Sequence, residues 1–202
     1  MNTGVLEIDL IKKVLSNKGY SFFENGQYNL NIIGIRSNKR DAGSFDDFIC
    51  CIFKDSNNKW VCEHWQATTD AGTYWLSKPM NTNGTALLVP NQYRGVYKIG
   101  MFRGRYKALV QSKPVKVYRD NNKNKIQDYD PSTIQEGMFG IQIHKSNPIH
   151  TSLINDKWSA GCQVFANPKD FKEFMDLVEK SAAIWGDSFS YTLIEEKDFS
   201  HV

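Results

Sequence analysis

From residue 27 to residue 194 this chain is a succession of short apolar runs, each soon stopped by turn formers, and that pattern restricts it to a β-rich fold. QYNLNIIGIR at 27–36 reads as a strand. Residues 48–54 and 59–66 read as a hairpin joined by Asp55-Ser56-Asn57-Asn58. Apolar runs follow at 85–90, 94–101 and 106–111, broken by Pro90-Asn91 and by Arg103-Gly104-Arg105. PVKVYR at 114–119, MFGIQIH at 138–144 and SFSYTLI at 188–194 alternate as strands do, and 161–165 is a short strand or turn. The segments 37–47, 120–132 and 145–158 are polar loops, and the turn-rich segment 67–84 is expected to wander over a surface.

Only two helices are expected. In residues 5–18, Val5, Ile8, Ile11 and Leu15 follow helical spacing and Gly19 is a stop. A second helix opens at Asn167-Pro168, an N-cap and a first-turn proline, and carries an apolar stripe of Phe171, Phe174, Met175 and Val178. The expected class is mainly β (β-rich α+β), a sandwich or partly closed barrel with peripheral helices. Residues 1–36, a helix and a strand, are expected as a cap or extension, and 37–202 as the main domain.

At 41% apolar and 13% aromatic, the chain is not a disordered one. The net charge of +3 comes from scattered cations with no basic run, so no nucleic-acid footprint is expected. No stretch approaches the ~18 apolar residues of a membrane span. Glu7 and Asp9 stand where a signal peptide carries its basic region, and Lys12 and Lys13 interrupt any apolar core. Synthesis in the cytoplasm without a signal peptide is therefore expected.

Of four cysteines, Cys50, Cys51 and Cys62 lie in predicted strands, no CxxC pair occurs, and adjacent Cys50 and Cys51 read as small core residues. Cys162 stands apart. It follows Ser159-Ala160-Gly161, and His144 precedes it by eighteen residues at the end of a predicted strand. A free thiol with a pKa of about 8.5 needs a base to attack near neutral pH, and an imidazole supplies one. Ser159 and Gly161 let the chain turn tightly, so backbone N–H groups there form a candidate oxyanion site.

A histidine, a loop and then Ser-x-Gly-Cys resemble the signature of the L,D-transpeptidase (YkuD-like) catalytic domain. The likeness covers roughly residues 45–195, with the tight motif at 139–165. It implies a YkuD-like β-sandwich or barrel, Cys162 as nucleophile, His144 as base, and Ser159 and Gly161 as shapers of the turn. It further implies an enzyme of the cell wall, a cysteine acyl-transferase or peptidase acting on peptidoglycan stem peptides through a thioester. Lys145, Trp158 and Gln163 are candidate substrate contacts. The chain departs from the family pattern at Ala160, where a second histidine is usual, at Lys145 in place of glycine, and at Val164 in place of arginine or asparagine. The Gly-Cys-Gln sequence resembles a divergent branch associated with phages. A phage lysis or virion-associated protein, with other phage proteins as partners, would bring a chain without a signal peptide to the wall, and so would an unusual bacterial export route.

Two other readings stand beside this one. The fold could be kept in a wall-binding or virion-structural protein that no longer turns over. A zinc peptidase using His144, His150 and an aspartate would need a ligand pattern that the sequence lacks. No cofactor and no metal site is expected. Residues 120–128 carry oxygen donors at alternate positions, like the start of a calcium loop. Lys125 stands where such loops have glycine and the closing glutamate is missing, so an Asn-rich turn is expected there. His64 is expected to pack in a strand, His150 to be exposed, and His201 to lie in the tail.

Overall fold

The computed structural model describes residues 7–39 and 41–201. Eleven strands are present among them: β1 (Asn31–Arg36), β2 (Asp47–Lys54), β3 (Trp60–Thr68), β4 (Thr85–Leu88), β5 (Asn91–Phe102), β6 (Tyr106–Gln111), β7 (Val115–Asp120), β8 (Gln135–Gly137), β9 (Ile143–Lys145), β10 (Gln163–Phe165) and β11 (Phe189–Glu195). Three α-helices accompany them: α1 (Ile8–Asn17), α2 (Thr73–Ser77) and α3 (Pro168–Trp185). Eight strands close a barrel in the order β1-β11-β5-β6-β9-β10-β3-β2, and β4-β7-β8 form a second, three-stranded sheet. The fold is mainly β, as the run pattern predicts.

Three of the eight barrel pairings are antiparallel and join strands that follow each other in sequence: β1–β2, β2–β3, paired from Asp47↔Ala67 to Lys54↔Trp60, and β5–β6. Closure needs two parallel pairings, β1 with β11 and β9 with β10. Inside lies one apolar core to which every barrel strand contributes: Ile32, Ile49, Cys51, Trp65, Tyr97, Leu109, Ile143, Phe165 and Leu193 are all buried. Against one side α3 lays Phe171, Phe174, Met175 and Val178, the stripe read from sequence, with Asn167 Oδ1 accepting the Lys169 N–H as cap. Helix α1 covers the outside of β1, β2 and β11 through Ile11, Val14 and Leu15, which meet Ile33, Ile35, Cys50, Ile52 and Ile194. Alternation explains why Cys50 and Cys51 both pack, one under α1 and one inside the barrel. β1 lies in the barrel between β2 and β11, so the boundary expected after residue 36 follows a strand that the barrel includes.

Three local expectations are corrected. Residues 138–144 are not one strand. β8 ends at Gly137 in the second sheet and β9 begins at Ile143 in the barrel. Between them Gly140 takes a left-handed φ of 71°, and the N–H groups of Phe139 and Ile141 both donate to Gln111 Oε1 instead of to a neighbouring strand. The 67–84 segment is not wholly irregular, since α2 forms within it and buries Leu76. Only 31–36 of the first predicted strand is strand, because Tyr28 adopts a φ of 53° and its N–H goes to Lys54 O. Val5, counted in the first predicted helix, lies outside the described residues.

A buried polar cluster ties the two sheets together. Arg36, 1% exposed at the end of β1, donates to Thr69 Oγ1, Thr69 O and Leu88 O, and its Nε lies 2.9 Å from Asp70 Oδ1. Asp47 accepts the Ser37 and Thr69 N–H groups and the Thr69 hydroxyl. The Arg36 charge is tolerable inside because each of its three nitrogens has a partner and Asp70 stands beside it. Thr69 O also faces Gln163, the residue after Cys162, so this cluster braces the floor of the site described next.

Candidate active site

Parallel pairing of β9 with β10 sets His144 opposite Val164. Cys162 precedes Val164 by two residues and packs beside it, so its side chain leaves the same face of the barrel wall as the imidazole. Both line a cleft of about 450 Å³ between the barrel and the second sheet. A second cleft, of about 640 Å³, continues past His144, Phe102 and Trp158.

The turn that presents Cys162 is held from three sides. Ser159 is fully buried; its hydroxyl donates to Cys162 O at 2.8 Å and accepts the Gly161 N–H at 3.0 Å. Its own N–H goes to Asn155 Oδ1, and its carbonyl accepts the Gly72 N–H. Gly161 has a φ of 117°, and a Cβ there would stand 1.9 Å from Ala86 O of β4. Only glycine permits that approach of turn and sheet. From beneath, Gln163 donates to Thr69 O and Gly161 O at 3.4 Å each and accepts the Tyr191 hydroxyl at 2.8 Å. Gln163 is 0% exposed and lines neither cleft. The candidate contact with substrate is thereby corrected: Gln163 supports the turn from the barrel interior, because the alternation that exposes Cys162 turns its neighbour inward.

His144 stacks on Phe102 with centroids 4.1 Å apart and is 3% exposed. Its Nδ1 lies 2.7 Å from Lys145 O. A carbonyl only accepts, so this bond assigns the proton to Nδ1 and leaves Nε2 with a free lone pair. Burial pulls the imidazole down to about 4, the Lys145 carbonyl opposes this, and the Arg103 charge adds to it. The side chain is neutral near pH 7 and able to accept a proton. Burial raises the Cys162 thiol above its ordinary value, while the Gln142 N–H and Arg103 pull it back. Cys162 Sγ lies 3.5 Å from Gly140 O and 3.5 Å from the Gln142 N–H, and no hydrogen bond joins it to the imidazole.

The site residues read from sequence thus divide. Cys162, His144 and Trp158 come together in the first cleft; Lys145 and Trp158 line the second. Ser159 and Gly161 build the turn. His150 is exposed on its loop and lines neither cleft. Sequence reading missed Phe102, Arg103, Arg105, Arg119, Gln142 and Lys157, all cleft residues. The one signal available was Arg103-Gly104-Arg105, read only as a hairpin turn. Five cations line the two clefts (Arg103, Arg105, Arg119, Lys145 and Lys157) and no aspartate or glutamate does. None of the five forms an ion pair among the described residues.

Among the described residues no group of three or more His, Cys, Asp or Glu is placed to hold a metal, and no helix is long and apolar enough to cross a membrane. Comparison with protein-family models, with curated proteins and with solved structures finds no match to this chain.

Proposed function

We propose that the chain is a cysteine acyl-transferase or hydrolase that acts on the stem peptides of peptidoglycan through a thioester on Cys162, in the manner of the L,D-transpeptidases its motif resembles. One observation carries the reading: a partly exposed thiol and a neutral histidine with its Nε2 free share one face of adjacent strands, at the wall of a cleft rich in cations. His144 Nε2 takes the Cys162 proton. The thiolate attacks the carbonyl that joins an L-centre to a D-residue. The C–N bond breaks, and the D-residue leaves as an amine with the proton held by His144. An amine then resolves the thioester to give a crosslink, or water resolves it to give a shortened peptide. The Cys162 N–H serves the oxyanion, its neighbours on Gly161 and Gln163 being bonded to Ser159 Oγ and Gln142 O.

The unpaired cations support an anionic substrate, and stem peptides carry several carboxylates. Because three of these charges, Arg103, Arg105 and Lys157, are exposed, their attraction is screened by salt. Raising ionic strength from about 0.05 M to about 0.5 M is expected to raise KM severalfold and leave kcat within about twofold. Steady-state kinetics on a soluble tetrapeptide checks this, and an unchanged KM would remove the electrostatic part of the account.

The reading itself is tested by incubating the protein with purified sacculi and analysing the released muropeptides by mass spectrometry. Loss of a terminal D-residue or new L,D-crosslinks is expected. Unchanged muropeptides from several wall types, with folded protein, would replace catalysis by a wall-binding or structural role. A phage lysis or virion setting would take the chain to that substrate.

A further inference from the structure

Strand β7 ends on Asp120, which is 2% exposed. Its Oδ2 accepts the Asp128 N–H at 2.9 Å, which closes the chain from 120 to 128 into a loop around the carboxylate. Its Oδ1 is buried and has no hydrogen-bond partner among the described residues. No ion pair is formed by Asp120 among the described residues. A carboxylate oxygen withdrawn from water without a donor is costly, and such a group persists where a cation compensates it. The carboxyl is held above its ordinary value by burial and, to a lesser degree, by the Asp128 charge, against the N–H groups of Asp128 and Asn122.

The rest of the loop carries oxygen donors at alternate positions. Asn122 Oδ1 accepts the Asn124 N–H, and Asn124 Oδ1 accepts the Ile126 N–H, which leaves each amide oxygen a second lone pair. Asn122 Nδ2 lies 3.4 Å from Asp128 Oδ2, so the far carboxylate lies beside the Asn122 amide. An isolated bridge from Ile126 to Asp41 pins the loop. Lys125 takes a φ of 69°, the left-handed conformation that a calcium loop demands of its middle residue and usually fills with glycine. The obstacle seen in the sequence is thus one of side-chain identity; the backbone already has the required shape.

We propose that this loop is a calcium site, with oxygens from Asp120, Asn122, Asn124 and Asp128 and the carbonyl of Ile126 as ligands and water completing the shell. The donor set is all oxygen, which suits a hard cation and disfavours zinc or copper. With two carboxylates and two neighbouring lysines, the affinity belongs to the weak class, with a Kd on the order of 10⁻⁴ to 10⁻³ M. Arg119, adjacent to Asp120, lines the cleft that holds Cys162, so the ion fastens the strand end that carries a cleft residue. The site does not depend on the catalytic reading.

The test is calorimetric titration of calcium chloride into the metal-free full chain, with thermal unfolding in parallel. One-to-one binding in that range is expected, with a Tm that rises with calcium. Asp128→Asn, at an exposed position where folding is not at stake, should weaken binding roughly tenfold, and Asp120→Asn at least as much. Lys125→Gly should bind as tightly as the parent or tighter. Absence of both heat and Tm shift at about 10 mM calcium, or binding unaltered in Asp128→Asn, would overturn the site.

Discussion

Replacing His144 by glutamine should lower kcat/KM by roughly 10²–10⁴-fold, the usual loss when a positioned general base is removed. The expectation rests on tautomer and placement. Lys145 O fixes the proton on Nδ1, Phe102 stacks on the ring, and the lone pair left on Nε2 is the base of the proposed reaction, on a side chain that lines the cleft with Cys162. Glutamine retains a polar tip and no basic lone pair of comparable strength. The pH dependence follows with its sign. The imidazole must be neutral to act, and burial holds its pKa down at about 4. The acid limb of kcat/KM should therefore lie near pH 4 in the parent, not near the ordinary histidine value of about 6.5. Rate profiles of both proteins on a tetrapeptide check the two statements together. A variant within tenfold of the parent would move the base elsewhere.

Gly161→Ala should be the most damaging single-methyl change near the site. The added Cβ would lie 1.9 Å from Ala86 O, a backbone atom of β4 that cannot swing aside, and φ at 117° is strained for any side chain. The loss of stability should reach about 3 kcal/mol or more, since overpacking and strain each cost on the order of 1–3 kcal/mol. Relief by moving the turn would carry Cys162 with it, because Ser159 joins Gly161 N–H to Cys162 O. Denaturant unfolding and the rate of Cys162 alkylation read the two effects separately. A variant as stable as the parent would mean that the turn and β4 do not approach each other as described.

Much of the fold was legible in the sequence because its signals are local. The β2–β3 hairpin follows from alternation and the Asp55–Asn58 turn, and α3 from its Asn167-Pro168 start and apolar stripe. Closure of the barrel was not legible. β1 meets β11 in parallel across most of the chain, and no local pattern encodes such a partner. Residues 138–142 misled for a similar reason: they alternate like a strand, yet Gln111, far away in sequence, takes their N–H groups. In the site, Cys162, His144 and the Ser159–Gly161 turn were found through their chemistry and spacing. Gln163 was misplaced because its neighbourhood in sequence says nothing of which way β10 faces. Arg103, Arg105, Arg119 and Lys157 were missed because three separate segments bring them to one pair of clefts.

The most direct test of the central claim is to quench a reaction between the protein and a stem tetrapeptide at acid pH, measure the intact mass, and map any adduct by proteolysis. The parent should gain the mass of the acyl fragment on the peptide that contains Cys162, and Cys162→Ala should gain none and release no D-residue. An adduct on another residue, or D-residue release undiminished in Cys162→Ala, would contradict the assignment of Cys162 as the nucleophile.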